Sequence, residues 1–272
     1  MNFVIALDME GVHGVVGEPY KGLSSDSDEY KKAVISATCE VNEAVKALFD
    51  AGAEKVYIWD NHGAKDNIFT DLIDSRAEKI ILPVKTGETR LDFLKDIKPQ
   101  AAIIYLGYHA REGSFNGVLC HTFNSTAYQY IKFDGKPVGE LDIDAEIAST
   151  FGVPSVFAAS DDVCISQVKA YDERITTVVT KYGKGRNAAD FRPVQDVLKD
   201  IYDGVKYAAS NVFAPKKATF PKEVEIRYTR IELAAHIYET LNGVFGKRIC
   251  YGDDSHILKF IVNDVDELRK II

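Results

Sequence analysis

The stretch NFVIALDMEGVHG, residues 2–14, is a short apolar run that ends at once in two carboxylates, Asp8 and Glu10, followed by Gly11 and His13. FVIAL has the length and texture of a strand buried on both faces. Residues two apart on an extended chain face the same way, so Asp8 and Glu10 can address one point beyond the strand tip. From Glu29 to Ala51, the residues Ala33, Val34, Ala37, Val41, Ala44, Val45 and Leu48 follow helical spacing, and Gly52 is the expected stop. KVYIW (55–59) is a second buried-strand run. Strand, helix and strand joined by short links make a βαβ unit, whose crossover is right-handed.

The alternation continues. RLDFLKDI (90–97) reads as a helix and AAIIYLGY (101–108) as a strand. Asp134-Gly135 between YQYIKF and KPVG marks a hairpin. ELDIDAEIASTFG reads as a helix, VPSVFAAS and ITTVVT as strands, and 187–212 as mostly helical, interrupted by Pro193. After APKKATFPKE the texture changes: VEIRYTR, KRICYG and HILKFIV no longer alternate simply with the helices IELAAHIYETL and DVDELRKII. The expected fold is α/β, a mostly parallel sheet with flanking helices, plus a smaller C-terminal α+β unit. The expected division is 1–213, the α/β domain, and 214–272, the smaller α+β unit.

A chain of 272 residues is large enough for a substantial core. Its hydrophobic fraction of 46% and charged fraction of 27% are those of a water-soluble globular protein. With a net charge of -8 and no stripe of Lys and Arg, neither nucleic acid nor an anionic membrane is an expected partner. Cys39, Cys120, Cys164 and Cys250 are widely spaced, with no CxxC pair, which points to reduced thiols and a cytoplasmic location. Asp8 interrupts the first apolar run, so the N-terminus does not read as a signal peptide, and no stretch is long enough to span a bilayer.

Three strand-like runs end in metal-capable side chains: the first in Asp8 and Glu10, the second in Asp60, Asn61 and His62, the third in His109. Open α/β sheets bind ligands beyond the carboxyl ends of their strands, so neighbouring strands would bring these groups to one rim. Glu140, after the hairpin, is a further contributor. Two imidazoles and three carboxylates without a thiolate suit Zn²⁺, Mn²⁺, Co²⁺ or Fe²⁺. Five ligands exceed one closed zinc site and fit two ions about 3.5–4 Å apart, with Asp8 as the candidate bridge. Taken singly, such residues also serve as turn residues or helix caps, as Asp60-Asn61 would.

The motifs DMEG, DNHG, LGYHAR, CHTF and KPVGELDIDA, in that order and through VPSVFAASDD, resemble the DppA-type D-aminopeptidases, with a weaker echo in TKYGKGRNAADFRP. That resemblance implies a dinuclear zinc peptidase with two zinc ions per chain. It implies Asp8, Glu10, His62, His109 and Glu140 as metal ligands and His121 as a catalytic histidine. The implied activity is removal of N-terminal D-amino acids, D-alanine above all, from short peptides. The implied assembly is a homo-oligomer, a self-compartmentalising decameric ring. The gap from His109 to His121 is one residue longer than in a member of that family, within REGSFNG (111–117), and His13 stands where that member has a small residue, making it a further candidate ligand or proton donor.

On this reading a metal-bridging water of lowered pKa attacks the scissile carbonyl, and His121 stabilises the oxyanion or passes a proton to the leaving amine. The alternatives are another dinuclear amidohydrolase or deacylase, and a non-catalytic protein that binds a metal or small molecule. Other candidates carry less. Cys120 and His121 are adjacent, so on a strand they face opposite ways and form no thiol–imidazole pair. Residues 182–186 lack the ending of a phosphate loop. Lys181 and Arg186 are candidates to hold a substrate carboxylate or are solvated, and Asp161-Asp162 would bind an amine or cap a helix. His236 and His256 read as helix and loop residues, and Asp142, Asp144 and Glu146 as acids favoured near a helix N-terminus.

Overall fold

A computed structural model describes residues 1–63, 66–80 and 90–272. Strands β1 (Asn2–Leu7), β2 (Lys55–Asp60), β3 (Ala77–Lys79), β4 (Ala101–Leu106), β7 (Ser155–Asp161), β8 (Thr176–Gly185) and β9 (Ala188–Phe191) form one sheet in the order β3-β2-β1-β4-β7-β8-β9. All neighbours in it are parallel except the β8–β9 hairpin. Strands β5 (Tyr128–Phe133), β6 (Lys136–Val138), β10 (Lys222–Tyr228), β11 (Ile249–Tyr251) and β12 (Ile257–Val262) form an antiparallel sheet in the order β11-β12-β10-β5-β6. The α/β class with a mostly parallel sheet is therefore as expected. The antiparallel sheet takes β5 and β6 from the middle of the chain, so residues 214–272 share a sheet with a hairpin far upstream.

Alternation along β1 explains the layers. Phe3, Ile5 and Leu7 face the helices α1 (Asp28–Asp50) and α4 (Val194–Ser210), meeting Ala37, Val41, Leu48, Val197 and Ile201 in one core. Val4 and Ala6 face the other way, into a second core built from α2 (Glu140–Thr150), α3 (Asp162–Tyr171) and the antiparallel sheet, with Ile143, Ile147, Val224, Ile226 and Phe260. Both faces of the parallel sheet are thus buried, which is why its strands read as continuous apolar runs. Ser27 caps α1, its hydroxyl accepting the Tyr30 N–H at 3.0 Å. The remaining helices α5 (Ile231–Phe245) and α6 (Val265–Leu268) lie in the C-terminal part.

Two local expectations change. Residues 90–97 form only a short 3₁₀ turn, Asp92–Lys95, entered through Leu91 in the left-handed region at φ 66°. So short a helix is marginal alone, and burial of Leu91 and Leu94 decides the path instead. Residues 188–191 are not helical but a strand paired with β8, Lys181 opposite Phe191. Cross-strand hydrogen bonding overrides local propensity there, and Pro193 stands at the start of α4, where a missing N–H costs nothing. Among the described residues no helix is long and apolar enough to cross a membrane.

The tips of β1 and β4 are held closely together. Asp8 N–H donates to the Leu106 carbonyl at 2.8 Å and Gly11 N–H to the Gly107 carbonyl at 2.7 Å. Gly107 has φ +71°, and a Cβ there would stand 2.0 Å from the Asp8 carbonyl oxygen. Gly107→Ala is therefore expected to destabilise the protein by at least about 1–3 kcal/mol from the backbone conformation alone, with the clash added. Urea unfolding measures this, and an unchanged midpoint would mean that the two tips separate freely.

Candidate metal centre

Each candidate ligand is delivered by a different device. β1 ends at Leu7, and Asp8 and Glu10 follow on a tight turn whose backbone is tied to the β4 tip. β2 ends at Asp60, and the Asn61 N–H donates to the Leu7 carbonyl, which places His62 beside Asp8. His109 lies just beyond β4, between Tyr108 and Ala110, all three buried. Glu140 arrives by the β5–β6 hairpin. Asp134 and Gly135 turn it through two left-handed residues (φ 48° and 76°), and Glu140 is the first residue of α2. His121 sits on the irregular segment 111–123, in which Asn116, Leu119 and Phe123 all have positive φ. Arg186 fastens this segment: its carbonyl accepts the Leu119 N–H at 2.8 Å, and its Nη1 donates to the Cys120 carbonyl at 2.5 Å.

The five side chains meet. His62 Nδ1 is 3.0 Å from Asp8 Oδ1 and 3.2 Å from Glu10 Oε2. His109 Nε2 is 3.2 Å from Glu140 Oε1 and 3.5 Å from Asp8 Oδ2. His121 Nε2 is 3.8 Å from Glu140 Oε1, and its ring stacks on that of His109 with centroids 4.0 Å apart. Ligand atoms of Asp8, Glu10 and His109 lie within 4.8 Å of one another, and so do those of His109, His121 and Glu140. The two groups share His109, so they form one continuous cluster of metal-capable atoms.

The donor set fits a divalent metal by a test internal to the structure. Among the described residues His109 Nε2 is buried with no well-aligned hydrogen bond, its near neighbours being the Glu140 and Asp8 carboxylates, while its Nδ1 stands 3.0 Å from the Ala110 carbonyl. An Nδ1–H donating there leaves Nε2 facing the carboxylates, the nitrogen that would ligate an ion on losing its proton. Zn²⁺ and similar ions accept such mixed nitrogen and oxygen ligands.

The electrostatics agree. Against the opposing effect of burial, Glu10 and Asp8 push the His62 imidazole up to about 12. Glu140 and Asp8 likewise push His109, against burial, up to about 10. Burial and the neighbouring Glu10 raise Asp8 to about 7, whereas Glu10 itself, despite burial, is held well below its usual range by His62 and His109. Glu140, against burial, is held down to about 2 by His109 and Arg90. Without a metal, the buried carboxylates thus keep two imidazoles protonated. His121 differs: burial and the charge on His109 lower it, and its Nδ1 is 2.8 Å from the Leu119 carbonyl.

Several other candidates are placed elsewhere. Asp60 turns away from the cluster and accepts the Asn67 N–H and side-chain amide at 2.8 and 2.6 Å. His13 Nε2 is 2.8 Å from the Arg192 carbonyl just after β9, and the His13 backbone N–H donates to Glu40 Oε1 on α1 at 2.7 Å. Lys181 is no substrate contact: it is fully buried and donates to the carbonyls of Glu10, Val12 and Val15 at 2.5, 2.8 and 2.6 Å. Asp161 caps α3 through the Cys164 N–H, and Asp162 accepts the Gly183 N–H. Cys120 Sγ faces the Ser114 carbonyl rather than His121. His256 Nδ1 is 3.0 Å from the Tyr228 carbonyl, and His236 is exposed on α5.

Arg90 is the participant that sequence reading missed. Its guanidinium holds both oxygens of the buried Asp144, donates to Asn61 Oδ1 at 2.8 Å and approaches Glu140 Oε2 at 3.9 Å. Glu140 and Asp144 are four residues apart on α2, a spacing that puts them on one face and was legible. Nothing local marks Arg90 as their neighbour.

The chain is similar to known proteins in both sequence and fold. It is 27% identical to a D-aminopeptidase of Bacillus subtilis (strain 168) over 188 residues, 69% of this chain. The match spans 66% of that relative's length, just under two thirds. The fold is shared with the Zn-dependent D-aminopeptidase DppA from Bacillus subtilis, a self-compartmentalizing protease, at a TM-score of 0.86 and 20% identity, covering 100% of this chain and 95% of that one. The model of the D-aminopeptidase family Peptidase_M55 matches residues 1–261, and it is to this family that the chain belongs.

Proposed function

We propose that this protein is a zinc-dependent aminopeptidase that releases N-terminal D-amino acids, D-alanine-like, from short peptides. The observation that carries this reading is the buried cluster of carboxylates and imidazoles around His109 Nε2, in a chain of the D-aminopeptidase family. Asp8, Glu10, His62, His109 and Glu140 would hold two ions, with manganese, cobalt or iron as possible substitutes for zinc. Bound there, divalent ions supply Lewis acidity toward a carbonyl and lower the pKa of a water.

The chain's own residues do the rest. His121 is held neutral near physiological pH by burial and by His109, so its Nε2 can accept a proton and return it to the leaving amine. The Leu119 carbonyl fixes its tautomer. Buried carboxylates around the centre favour a substrate carrying a free amine over a blocked one. The fold shared with a self-compartmentalizing protease supports assembly into a homo-oligomeric ring, for which a decamer is the proposed size.

Hydrolysis of D-Ala and L-Ala dipeptides, each with a free and an acetylated N-terminus, tests the substrate class. The free D-Ala peptide should be cleaved and the acetylated one should not. Equal cleavage of both would make the protein a deacylase or general amidase, and turnover of no amide by metal-loaded protein would leave a binding protein.

Metal binding should be linked to protons. In metal-free protein at neutral pH, His62 and His109 are charged because their pKa values are raised to about 12 and about 10. Zinc ligation requires neutral imidazole, so loading should release about two protons per chain, and affinity should fall as pH falls. Titration in a weakly buffered solution reads this, alongside elemental analysis for two ions per chain. Loading without proton release would contradict the charge state assigned to the pair.

His62→Ala should lose metal and activity together. His121→Ala should keep its metal content and lose about 10²-fold in kcat, with a smaller change in KM, because a proton-transfer role acts in the transition state. Loss of metal from the His121 variant would instead make it a ligand.

A further inference from the structure

Arg90 stands at the centre of a network that no catalytic role requires. Its Nε and Nη2 hold both oxygens of Asp144, the Nη2 contact being 2.8 Å, and its Nη1 donates to Asn61 Oδ1 at 2.8 Å. Asn61 in turn donates to the Tyr108 hydroxyl at 3.3 Å, and that hydroxyl donates to Asp144 Oδ2 at 2.7 Å. The faces of the guanidinium lie against Trp59 and Phe123, with ring centroids 5.0 and 4.9 Å away. The Phe123 N–H donates to Glu140 Oε1 at 2.7 Å.

The same nitrogen, Nη2, that lies 2.8 Å from Asp144 lies 3.9 Å from Glu140 Oε2. One guanidinium edge therefore separates two buried carboxylates that α2 presents on one face, one helical turn apart. Asp144 is fully buried, so its charge has no water to screen it. The fork geometry of arginine is already used up bidentately by Asp144, which leaves Arg90 poorly placed to anchor a substrate carboxylate.

We infer that Arg90 is a positioning residue: by occupying Asp144 it leaves Glu140 as the one α2 carboxylate that faces His109 and the metal. Without Arg90, like-charge repulsion between Asp144 and Glu140 turns Glu140 out of place. Through Asn61, the same guanidinium also ties the His62 turn to α2. The inference rests on the reading of Glu140 as a metal ligand.

The test uses Arg90→Gln, Asp144→Asn and the double variant. Zinc affinity is measured by competition with a chromophoric chelator, and the Co²⁺-loaded absorption bands report on the ligand set. Arg90→Gln should weaken zinc binding by about 10–100-fold, the usual range for partners that orient metal ligands, and should shift the cobalt bands. The double variant should return to the affinity and spectrum of Asp144→Asn, because the competing charge is gone. A merely structural role would leave the double variant as weak as Arg90→Gln, which overturns the inference, as does wild-type affinity in Arg90→Gln. If circular dichroism shows that Arg90→Gln does not fold, the double variant against Asp144→Asn decides, since neither buries an unpaired carboxylate. Failure of the wild-type protein to take up zinc or cobalt overturns the ligand reading of Glu140, and this inference with it.

Discussion

β1 is hydrogen-bonded along both edges, to β2 with Leu7 opposite Asp60 and to β4 with Leu7 opposite Leu106. That register sets the height at which three strands end, and every candidate ligand except Glu140 is counted from it. Asp8 follows one residue after the shared level, His62 two residues after Asp60, and His109 three residues after Leu106. A slip of one residue in either pairing would send the side chains of a whole strand to the other face, exchanging the two cores. Because both faces are buried, such a slip is strongly disfavoured, and the stability of the sheet is also what fixes the relative positions of the candidate ligands.

The site concentrates negative charge where burial makes charge expensive. Asp8, Glu10, Glu140 and Asp144 are all buried within one region. Arg90 on Asp144 answers part of this, while Lys181, lowered by burial to about 8, ties together the carbonyls of the turn that carries Glu10. The imidazoles answer more, at the cost of being protonated when no metal is present. A buried ion pair is weak evidence for stability in itself. Here the arrangement is better explained as a site in which protons and divalent cations compete for the same carboxylates.

Glu140 and His121 depend on parts of the molecule outside the parallel sheet. The β5–β6 hairpin that ends just before Glu140 is hydrogen-bonded to β10, so the antiparallel sheet supports one candidate ligand. His121 is placed by a segment with three left-handed non-glycine residues, held by Arg186 from the β8–β9 turn and by Phe123 on Glu140. Strained backbone of this kind persists only where its surroundings over-determine it.

Much of this was present in the chain itself. Apolar runs of strand length, a helix with clear 3.6-residue spacing and an Asp-Gly hairpin turn are local signals, and they specify the α/β class and the strand ends at which Asp8, Glu10, His62 and His109 lie. What local signals lack is distance. Nothing near residues 188–191 reports that β8 runs long enough to pair with them, and nothing around Arg90 reports Asp144. Lys181 and His13 have the chemistry of site residues, yet one is spent on three backbone carbonyls and the other on the Arg192 carbonyl. Residue type and periodicity determined which groups were available at the rim. Packing alone decided which of them face one another, because hydrogen-bond and charge partners are set by contacts between segments far apart in the chain.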